Sequence, residues 1–378
     1  MRQVTREMGP GRGAITRRNL LGASGAALLG ALVRPTGGIA AMREVAVAPS
    51  RLALQTGDPL PTWNDGPRKQ AILDFVAAAT DETTTDFVPV PDRIATFDMD
   101  GTLWVEMPLY VQSTFSLDRI RAMTPEHPEW RTTPPFDATF SENEADLVTF
   151  SNNDWQQIMG VTHAGLTLEE YVADAAAWLA VAKHPRFDRR YTELAYAPML
   201  DVMAYLRRHD FRTYIVSGSG QEFMRAFAEG VFGVPPEQII GTTFALTYEM
   251  GSDGIPLIRI DEAILMDDNN AGKPQDIALI IGRRPVAAFG NSTGDQQMLE
   301  WTGAGERATL MMLVYHDDPV REYAYGPAGG LPNTHIGTFT QALMDEANER
   351  GWFVISMKDD WGRIFSWSEA GATPVASG

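Results

Sequence analysis

The stretch from Phe97 to Trp104 constrains the fold of this chain more than any other part of the sequence. It follows a short apolar run, and Gly101 interrupts it, which is the pattern of a buried strand that passes into a loop. Side chains alternate between the two faces of an extended segment, so we expect Asp98 and Asp100 to point to the same side at its carboxyl end. In open α/β sheets, ligands bind at that end of the strands.

Two neighbouring carboxylates repel each other unless a cation or a proton separates them. The aspartate pair therefore suggests a divalent metal, with one of the two acids held protonated. An Asp-rich turn or a calcium loop is the alternative interpretation. A calcium loop needs more oxygen ligands downstream, and the side chains of Leu103, Trp104 and Val105 offer none. We favour a catalytic role, and the turn remains the alternative.

The composition limits the classes of protein to be considered. The chain has 378 residues, 44% hydrophobic and 21% charged, which excludes wholesale disorder and suits one large domain or a core with an insert. Its net charge is −18, and about −23 without residues 1–40, so nucleic acid and anionic membranes are disfavoured as partners. Cysteine is absent, which excludes disulfides and thiol catalysis. The six histidines lack metal-ligand spacing, and we treat them as structural.

The N-terminus resembles a twin-arginine export signal. Arg17 and Arg18 precede a Gly/Ala-rich apolar run, from Leu20 to Val33, that is too short to span a bilayer comfortably. Small residues follow at 38–41, where cleavage is expected. The pattern predicts a signal peptide at residues 1–40, passage through the twin-arginine export machinery, and a periplasmic or secreted protein with no stable membrane anchor after cleavage. An amphipathic or disordered N-terminus is the alternative.

The spacing of the strands predicts an inserted unit. A linker and an N-terminal helix occupy residues 41–90, and the strand after the aspartate pair is expected only at 211–216. A plain β-α-β crossover needs about thirty residues, so the longer interval must hold an insert. Its segments 116–123, 142–150 and 167–182 have helical character. We therefore expect a helical cap at 105–200, an α/β core at 91–104 and 201–365, and a mobile tail at 366–378.

Two more strands are expected to end in polar loops. Ser217 and Gly218 follow strand 211–216 and precede a helix at 221–229, so backbone amides there could bind an anion. The surrounding residues do not form a G-x-S-x-G elbow, which argues against a serine hydrolase. The strand 285–289 ends in a loop with Asn291 and Asp295, both suited to a hard cation.

The remaining segments complete an alternating order of helices and strands. A hairpin is expected from strands 239–248 and 255–260, and Lys273 lies at the start of a helix, where its charge opposes the helix dipole. A strand at 309–314, a helix at 338–349 and a strand at 352–356 follow. This order predicts an α/β fold with a mostly parallel sheet.

Taken in order, the Asp98-x-Asp100 stretch, Ser217, Lys273 and the loop from Gly290 to Asp295 resemble the four motifs of the haloacid dehalogenase superfamily. The helical insert and the hairpin are similar to its phosphoserine phosphatase-like branch. The resemblance covers roughly residues 90–315. It implies a Rossmann-like core with a mostly parallel sheet and an inserted helical cap.

The resemblance also implies roles for individual residues. Asp98 would attack phosphorus and form an aspartyl-phosphate, Asp100 would serve as general acid and base, and Lys273 would neutralise charge on the phosphoryl group and Asp98. Two further sets would bind phosphate and Mg²⁺. The phosphate set is Met99, Thr102, Ser217, Gly218 and Lys273, and the Mg²⁺ set is Asp98, Asp100, Asn291 and Asp295.

One position departs from the pattern of the superfamily. Many relatives have an acid where this chain has Asn291, so the metal would receive one unit less of negative charge. Substrate contacts are expected from Trp104 and Glu106, the latter near the position where relatives place an acid for a substrate amine. Trp104 and Tyr110 could also contact a quaternary ammonium through their rings, or could simply pack the hinge of the cap.

These inferences combine into one expected function. The chain is expected to be an Mg²⁺-dependent phosphomonoesterase that hydrolyses a small organic phosphate ester through an aspartyl-phosphate. A phosphotransferase or mutase on the same fold is one alternative. A periplasmic protein that binds phosphorylated ligands without turnover is the other.

Overall fold

The computed structural model describes residues 57–141 and 150–368. The predicted signal peptide at 1–40 lies outside these ranges, as do residues 142–149 of the predicted helix 142–150 and residues 369–378 of the predicted tail. The described residues form one sheet of seven strands in the order β4-β3-β2-β1-β5-β6-β7. The strands are β1 (Ile94–Phe97), β2 (Arg212–Gly220), β3 (Ile239–Met250), β4 (Pro256–Met266), β5 (Ala287–Gly290), β6 (Leu310–Tyr315) and β7 (Phe353–Ser356).

The sheet is parallel except at one edge. The central strand β1 pairs in parallel with β2, where Ile94 lies opposite Arg212, and with β5, where Ala95 lies opposite Ala287. Only β4 runs antiparallel, against β3 in the hairpin. The carboxyl ends of the other six strands therefore reach the same edge of the sheet. This arrangement confirms the predicted α/β fold with a mostly parallel sheet.

Helices cover both faces of the sheet. The helices are α1 (Pro67–Thr80), α2 (Val111–Met123), α3 (Asn152–His163), α4 (Leu168–Leu179), α5 (Ala197–Arg208), α6 (Gln221–Arg225), α7 (Ala228–Phe232), α8 (Gly272–Ile280), α9 (Gln296–Gly303) and α10 (Gln341–Arg350). Because side chains alternate along a strand, Phe97 joins one core cluster with Ile72 of α1 and Leu206 of α5. Ile94 joins the opposite cluster with Ile277 of α8.

A helical cap interrupts the core after β1. The chain leaves near Trp104 and returns at Ala195, where the two residues form an antiparallel bridge. Helices α2, α3 and α4 lie between these points, with 3₁₀ turns at Pro128–Thr132 and Phe136–Phe140. A capping box begins α4, since Thr167 and Glu170 exchange side-chain to backbone hydrogen bonds.

The cap is joined to the hairpin by backbone hydrogen bonds. The N–H of Gly165 donates to the carbonyl of Ile260 over 2.9 Å, and the N–H of Ile260 donates to the carbonyl of Leu166 over 2.9 Å. The hairpin is also longer than predicted, because β3 extends to Met250 and β4 to Met266. The sequence did not indicate that the hairpin supports the cap.

One predicted helix is divided in the structure, and the C-terminal strand completes the sheet. The helix predicted at 221–229 is two short helices, because Phe227 between them has non-helical dihedral angles (φ −145°, ψ −20°). At the C-terminal end, β7 pairs in parallel with β6, so the last strand belongs to the core sheet, and α10 packs in the core through Leu343 and Ala347. Within residues 57–141 and 150–368, no helix combines the length and the apolar character needed to cross a membrane.

Candidate active site

The loop after β1 holds Asp98 in a fixed place. Its backbone N–H donates to a carbonyl of β5 over 2.9 Å, which extends the parallel pairing by one residue. The chain then turns sharply, because the carbonyl of Met99 accepts hydrogen bonds from the N–H groups of Thr102 (3.2 Å) and Leu103 (2.8 Å). Gly101 adopts φ +74°, a left-handed conformation that a side chain would disfavour. The turn requires glycine at this position.

Lys273 links three strand ends. Its Nζ lies 2.6 Å from Oδ1 of Asp98, 2.7 Å from Oδ1 of Asp295 and 2.9 Å from the carbonyl oxygen of Val216. The lysine lies in the first turn of α8 and is 2% exposed. The charge that opposes the helix dipole is therefore neutralised by two carboxylates. The structure brings together the residues that the sequence placed at separate strand and helix ends.

The electrostatics of this cluster are dominated by burial. Burial and the nearby carboxylate of Asp295 raise the pKa of Asp98 to about 7, while Lys273 opposes the shift. Burial alone would lower the pKa of Lys273, but the carboxylates of Asp295 and Asp98 reverse the effect and hold that pKa above its ordinary value. The lysine therefore remains charged, and Asp98 is poised to lose its proton when further positive charge arrives.

Asp100 is held by two uncharged donors. Trp104 Nε1 donates to its Oδ1 and Ser219 Oγ donates to its Oδ2, both over 2.7 Å. Burial raises the pKa of Asp100, and these two hydrogen bonds offset only part of the shift. The acid is therefore biased toward its protonated form, as a general acid requires. Ser219 was not predicted, although it lies two residues after Ser217 at the carboxyl end of β2.

Trp104 does not contact the cavity. It is fully buried, its ring stacks on Phe227 with 4.6 Å between centroids, and its indole N–H is used by Asp100. The predicted substrate contact of Trp104 is therefore corrected, and the packing alternative describes its position. Tyr110 does line the cavity, where its hydroxyl accepts a hydrogen bond from the N–H of Gly337 over 3.2 Å.

The loop after β5 is organised by Asp295. Its Oδ2 accepts hydrogen bonds from the N–H groups of Asn291 (2.9 Å) and Ser292 (3.0 Å), while its Oδ1 contacts Lys273. Asn291 directs Oδ1 toward the hydroxyl of Thr102 at 3.3 Å, and the same hydroxyl lies 3.4 Å from Oδ2 of Asp98. Asn291 and Asp98 thus present oxygens to one small region. Both oxygens of Asp295 already have partners.

The carboxyl end of β2, which extends to Gly220 and not only to the predicted residue 216, forms the opposite wall. Ser217 is buried, and its hydroxyl accepts a hydrogen bond from the N–H of Ser219 over 3.2 Å. The carbonyl of Gly218 accepts from the hydroxyl of Thr242 over 2.9 Å, and a Cβ on Gly218 would overlap the side chain of Asn269. The side chain of Asn269 therefore lies directly against the backbone of Gly218.

A cavity of about 410 Å³ opens above these residues. Its floor is formed by predicted site residues, and its upper walls come from the cap and from the loop near residue 336. The floor residues are Asp98, Asp100, Ser217, Gly218, Lys273 and Asp295, and the upper wall includes Phe150, Trp155, Met159 and His335. His335 and the two cap aromatics were not predicted, because nothing in the sequence indicates which cap residues face the core.

The oxygens of Asp98 and Asn291 fit a hard divalent cation that accepts amide oxygens as well as carboxylates. Within the described parts of the chain, no group of three or more His, Asp or Glu side chains is close enough to hold a metal. The oxygens of Asp98 and Asn291 nevertheless face each other across Thr102. Carboxylate and amide oxygens are the ligands that Mg²⁺ accepts, and it commonly retains several waters.

Comparisons with solved structures show distant likeness in fold. A conserved protein of unknown function from Anaerococcus prevotii DSM 20548 shares 15% identity over 66% of this chain and 86% of its own, with a TM-score of 0.44. A phosphoserine phosphohydrolase-like protein from Francisella tularensis subsp. tularensis SCHU S4 shares 16% identity over 60% of this chain and 88% of its own, with a TM-score of 0.33. Cytosolic 5'-nucleotidase IIIB bound to cytidine shares 14% identity over 76% of this chain and 84% of its own, with a TM-score of 0.40. These scores are too low to carry an argument about function.

The sequence comparisons are more informative about the family. No curated protein matches this chain. In contrast, the sequence profile of the haloacid dehalogenase-like hydrolases matches residues 95–300, which is more than half of the chain. The match begins in β1 and ends in α9, so it includes Asp98, Lys273 and Asp295. This chain belongs to the haloacid dehalogenase-like hydrolase family.

Proposed function

We propose that the protein hydrolyses small organic phosphate monoesters through a covalent phosphate on Asp98. The observation that carries the proposal is the buried contact of Lys273 with Asp98, beside a cavity that Asp100 also lines. One volume thus has a carboxylate nucleophile, a fixed cation and a second acid of raised pKa. A dehalogenase would not need the second acid, so Asp100 favours phosphoryl transfer.

In the first half-reaction, a carboxylate oxygen of Asp98 forms a bond to phosphorus as the bond from phosphorus to the ester oxygen breaks. Oδ1 of Asp98 is engaged by Lys273 at 2.6 Å, whereas among the described residues Oδ2 has only the 3.4 Å contact with Thr102, so Oδ2 is the freer nucleophile. Protonated Asp100 gives its proton to the departing alkoxide. The products of this step are the free alcohol and an aspartyl-phosphate.

In the second half-reaction, water attacks the aspartyl-phosphate and Asp100, now ionised, accepts a proton from that water. The acyl phosphate bond breaks between phosphorus and the Asp98 oxygen, which releases inorganic phosphate and restores the carboxylate. Hydrogen bonds from Thr102 and Ser217 and the backbone at Met99 and Gly218 would orient the phosphate oxygens. Splitting one displacement into two lowers the barrier of each.

Mg²⁺ is the proposed cofactor. The residues that would hold it are Asp98, Asn291 and the backbone carbonyl of Asp100. Asp295 would support these ligands indirectly, because it contacts Lys273 and the N–H groups of the loop after β5. When bound, the ion supplies two positive charges against the phosphate dianion and Asp98. Lys273 adds one more, which allows an acidic protein to bind an anionic ester.

The proposed setting is the bacterial periplasm or the outside of the cell. The twin arginine and the apolar run within residues 1–40 support export by the twin-arginine machinery. The proposed partner is a small phosphate ester, and the net charge of −18 supports the view that nucleic acid is not one. A fusion of residues 1–40 to a folded reporter, assayed with and without a functional twin-arginine translocase, tests the location.

Phosphate release from an aryl phosphate tests the catalytic proposal. We expect turnover with Mg²⁺, its loss in EDTA and its loss in Asp98→Asn. Asp86→Asn, the same change at an exposed site, serves as the matched control and should remain active. Acid-quenched enzyme should carry acid-stable, base-labile phosphate only when Asp98 is present. Undiminished turnover by Asp98→Asn would exclude this residue as the nucleophile.

The same assay separates the two alternative functions. Added acceptor alcohols that receive phosphate in preference to water would indicate a phosphotransferase. Stoichiometric ligand binding without phosphate release would indicate a binding protein. Binding without turnover is not expected, because Asp100 lines the cavity and burial raises its pKa, as a general acid requires.

A further inference from the structure

Glu106 is a buried acid that the proposed reaction does not use. It is 1% exposed and lies at the border of the cavity. Its Oε1 accepts hydrogen bonds from Asn291 Nδ2 over 2.6 Å and from the hydroxyl of Tyr325 over 2.7 Å. Both donors are uncharged. A buried carboxylate that is held only by neutral groups is costly unless positive charge lies nearby.

The position of Glu106 is fixed by two glycines with left-handed backbones. Gly101 has φ +74° and Gly337 has φ +57°. A Cβ at either position would overlap the carboxylate of Glu106, and a Cβ on Gly101 would also overlap Nδ2 of Asn291. The contact between the acid and the amide is therefore enclosed on two sides, which leaves little freedom for either side chain.

This contact decides the orientation of Asn291. Because Nδ2 is committed to Glu106, the opposite atom Oδ1 faces the hydroxyl of Thr102, which also contacts Oδ2 of Asp98. An amide whose N–H donates to a carboxylate carries more negative charge on its oxygen, so it becomes a better ligand for a cation. The acidic side chain absent from position 291 is therefore present one side chain farther from the site, and burial raises the pKa of Glu106 well above its ordinary value when no cation is near.

We propose that Glu106 is a positioning residue that orients Asn291 and supplies the negative charge of the divalent cation site. The inference rests on the proposed Mg²⁺-dependent function. It differs from a role for Glu106 in binding a substrate amine, because the acid would act when no substrate is present. Its Oε1 is already occupied by two donors, which also favours the positioning role.

Binding of Mg²⁺ to the full chain without substrate tests the proposal. Titration calorimetry, with Mn²⁺ electron paramagnetic resonance as a second probe, should show Glu106→Gln binding about 10- to 100-fold more weakly than the wild type. Circular dichroism verifies the fold of each variant. Glu106→Asp keeps the charge but shortens the reach to Asn291, so it should also weaken binding. Unchanged affinity in both variants overturns the inference.

An exchange of the two side chains gives a sharper test. Asn291→Asp alone puts two acids at a contact that now measures 2.6 Å, so its melting temperature in EDTA should fall. The double variant Glu106→Gln/Asn291→Asp restores one acid and one amide, and should bind Mg²⁺ within about threefold of the wild type if Glu106 acts through charge at this site. A double variant that binds as weakly as Glu106→Gln contradicts the proposal.

The wild type supplies the reference that separates this inference from the proposed function. If wild-type protein binds neither Mg²⁺ nor Mn²⁺, the cation-dependent function itself is wrong and the inference falls with it. If the wild type binds the ion and turns over ester while both Glu106 variants match it, only the role of Glu106 is wrong.

Discussion

Lys273 and Asp98 are 175 positions apart in the chain and form a buried ion pair with 2.6 Å between Nζ and Oδ1. The lysine is also shared with Asp295, so one positive charge serves two carboxylates. A buried charge that loses its partner costs far more than a solvent-exposed pair is worth. The cluster is therefore a determinant of both stability and activity.

Lys273→Met should be strongly damaging. It leaves Asp98 and Asp295 buried without a cation, so we expect a loss of about 3–5 kcal/mol in the free energy of unfolding. The turnover rate should fall by about 100- to 1000-fold because charge on the phosphoryl group is no longer offset. Urea unfolding and steady-state kinetics measure the two effects.

Lys183→Met is the matched control for that experiment. The Lys183 side chain is 54% exposed and pairs with Asp188 at the surface, so its loss should cost about 0–1 kcal/mol and leave activity unchanged. Equal effects of the two substitutions would contradict the central role given to Lys273.

The stability of the metal-free protein should fall as pH rises from about 4 to 7. Asp98 has a pKa of about 7 in the folded chain, against about 3.9 when unfolded. Between these values the folded state binds more protons than the unfolded state, so deprotonation on raising the pH favours unfolding. Thermal melts in EDTA should show this slope, and Asp98→Asn should make it shallower without abolishing it, because burial also raises the pKa of Asp100.

Mg²⁺ binding should show the opposite dependence on pH. A proton on Asp98 competes with the cation, so affinity should increase as pH rises toward about 7 and level off above it. Calorimetric titrations at fixed ionic strength, from about pH 5.5 to 8.5, measure the trend. Affinity that stays constant across this range would argue against Asp98 as a ligand.

Asp100→Asn should slow the two half-reactions unequally. An aryl phosphate has a good leaving group and needs little proton donation, whereas hydrolysis of the aspartyl-phosphate still needs a base. We expect a burst of aryl alcohol close to one equivalent per enzyme, followed by slow turnover. Alkyl phosphates should show no burst because their departure requires the acid. Stopped-flow kinetics with both substrates distinguish these outcomes.

Trp104→Phe should weaken catalysis without removing the packing on Phe227. The substitution deletes the 2.7 Å hydrogen bond to Asp100 and keeps an aromatic ring in the stack. One neutral hydrogen bond contributes about 1 kcal/mol, so kcat should fall about fivefold with KM nearly constant. Trp301→Phe, on α9 away from the cavity, is the control. A changed KM with constant kcat would instead indicate a substrate contact.

Part of the site was accessible from the sequence because it lies at the ends of strands. Asp98, Ser217 and Asn291 each follow an apolar run that had to be a buried strand, and parallel strands bring their carboxyl ends to one edge. The chemical types of those residues then predicted acid, anion-binding and cation-binding functions. The order of the motifs predicted the family, which the match over residues 95–300 shows.

Other features depended on contacts between distant parts of the chain. Ser219 and Trp104 both bind Asp100, but neither residue type indicates such a role by itself. Glu106 meets Asn291 from 185 positions away and Tyr325 from 219, separations at which sequence spacing carries no information. The orientation of the cap and its attachment to the hairpin were equally inaccessible, because amphipathic helices do not specify which neighbour they cover.

The sequence by itself determined the alternation of strands and helices, the place of each polar loop and the kind of chemistry those loops can perform. These properties follow from local hydrophobic periodicity and from the fixed geometry of parallel strands. Only the tertiary structure decided which side chains touch: that Trp104 donates to Asp100 and does not line the cavity, and that Asn291 donates to Glu106. Side-chain contacts depend on the packing of the whole core, which no local pattern specifies.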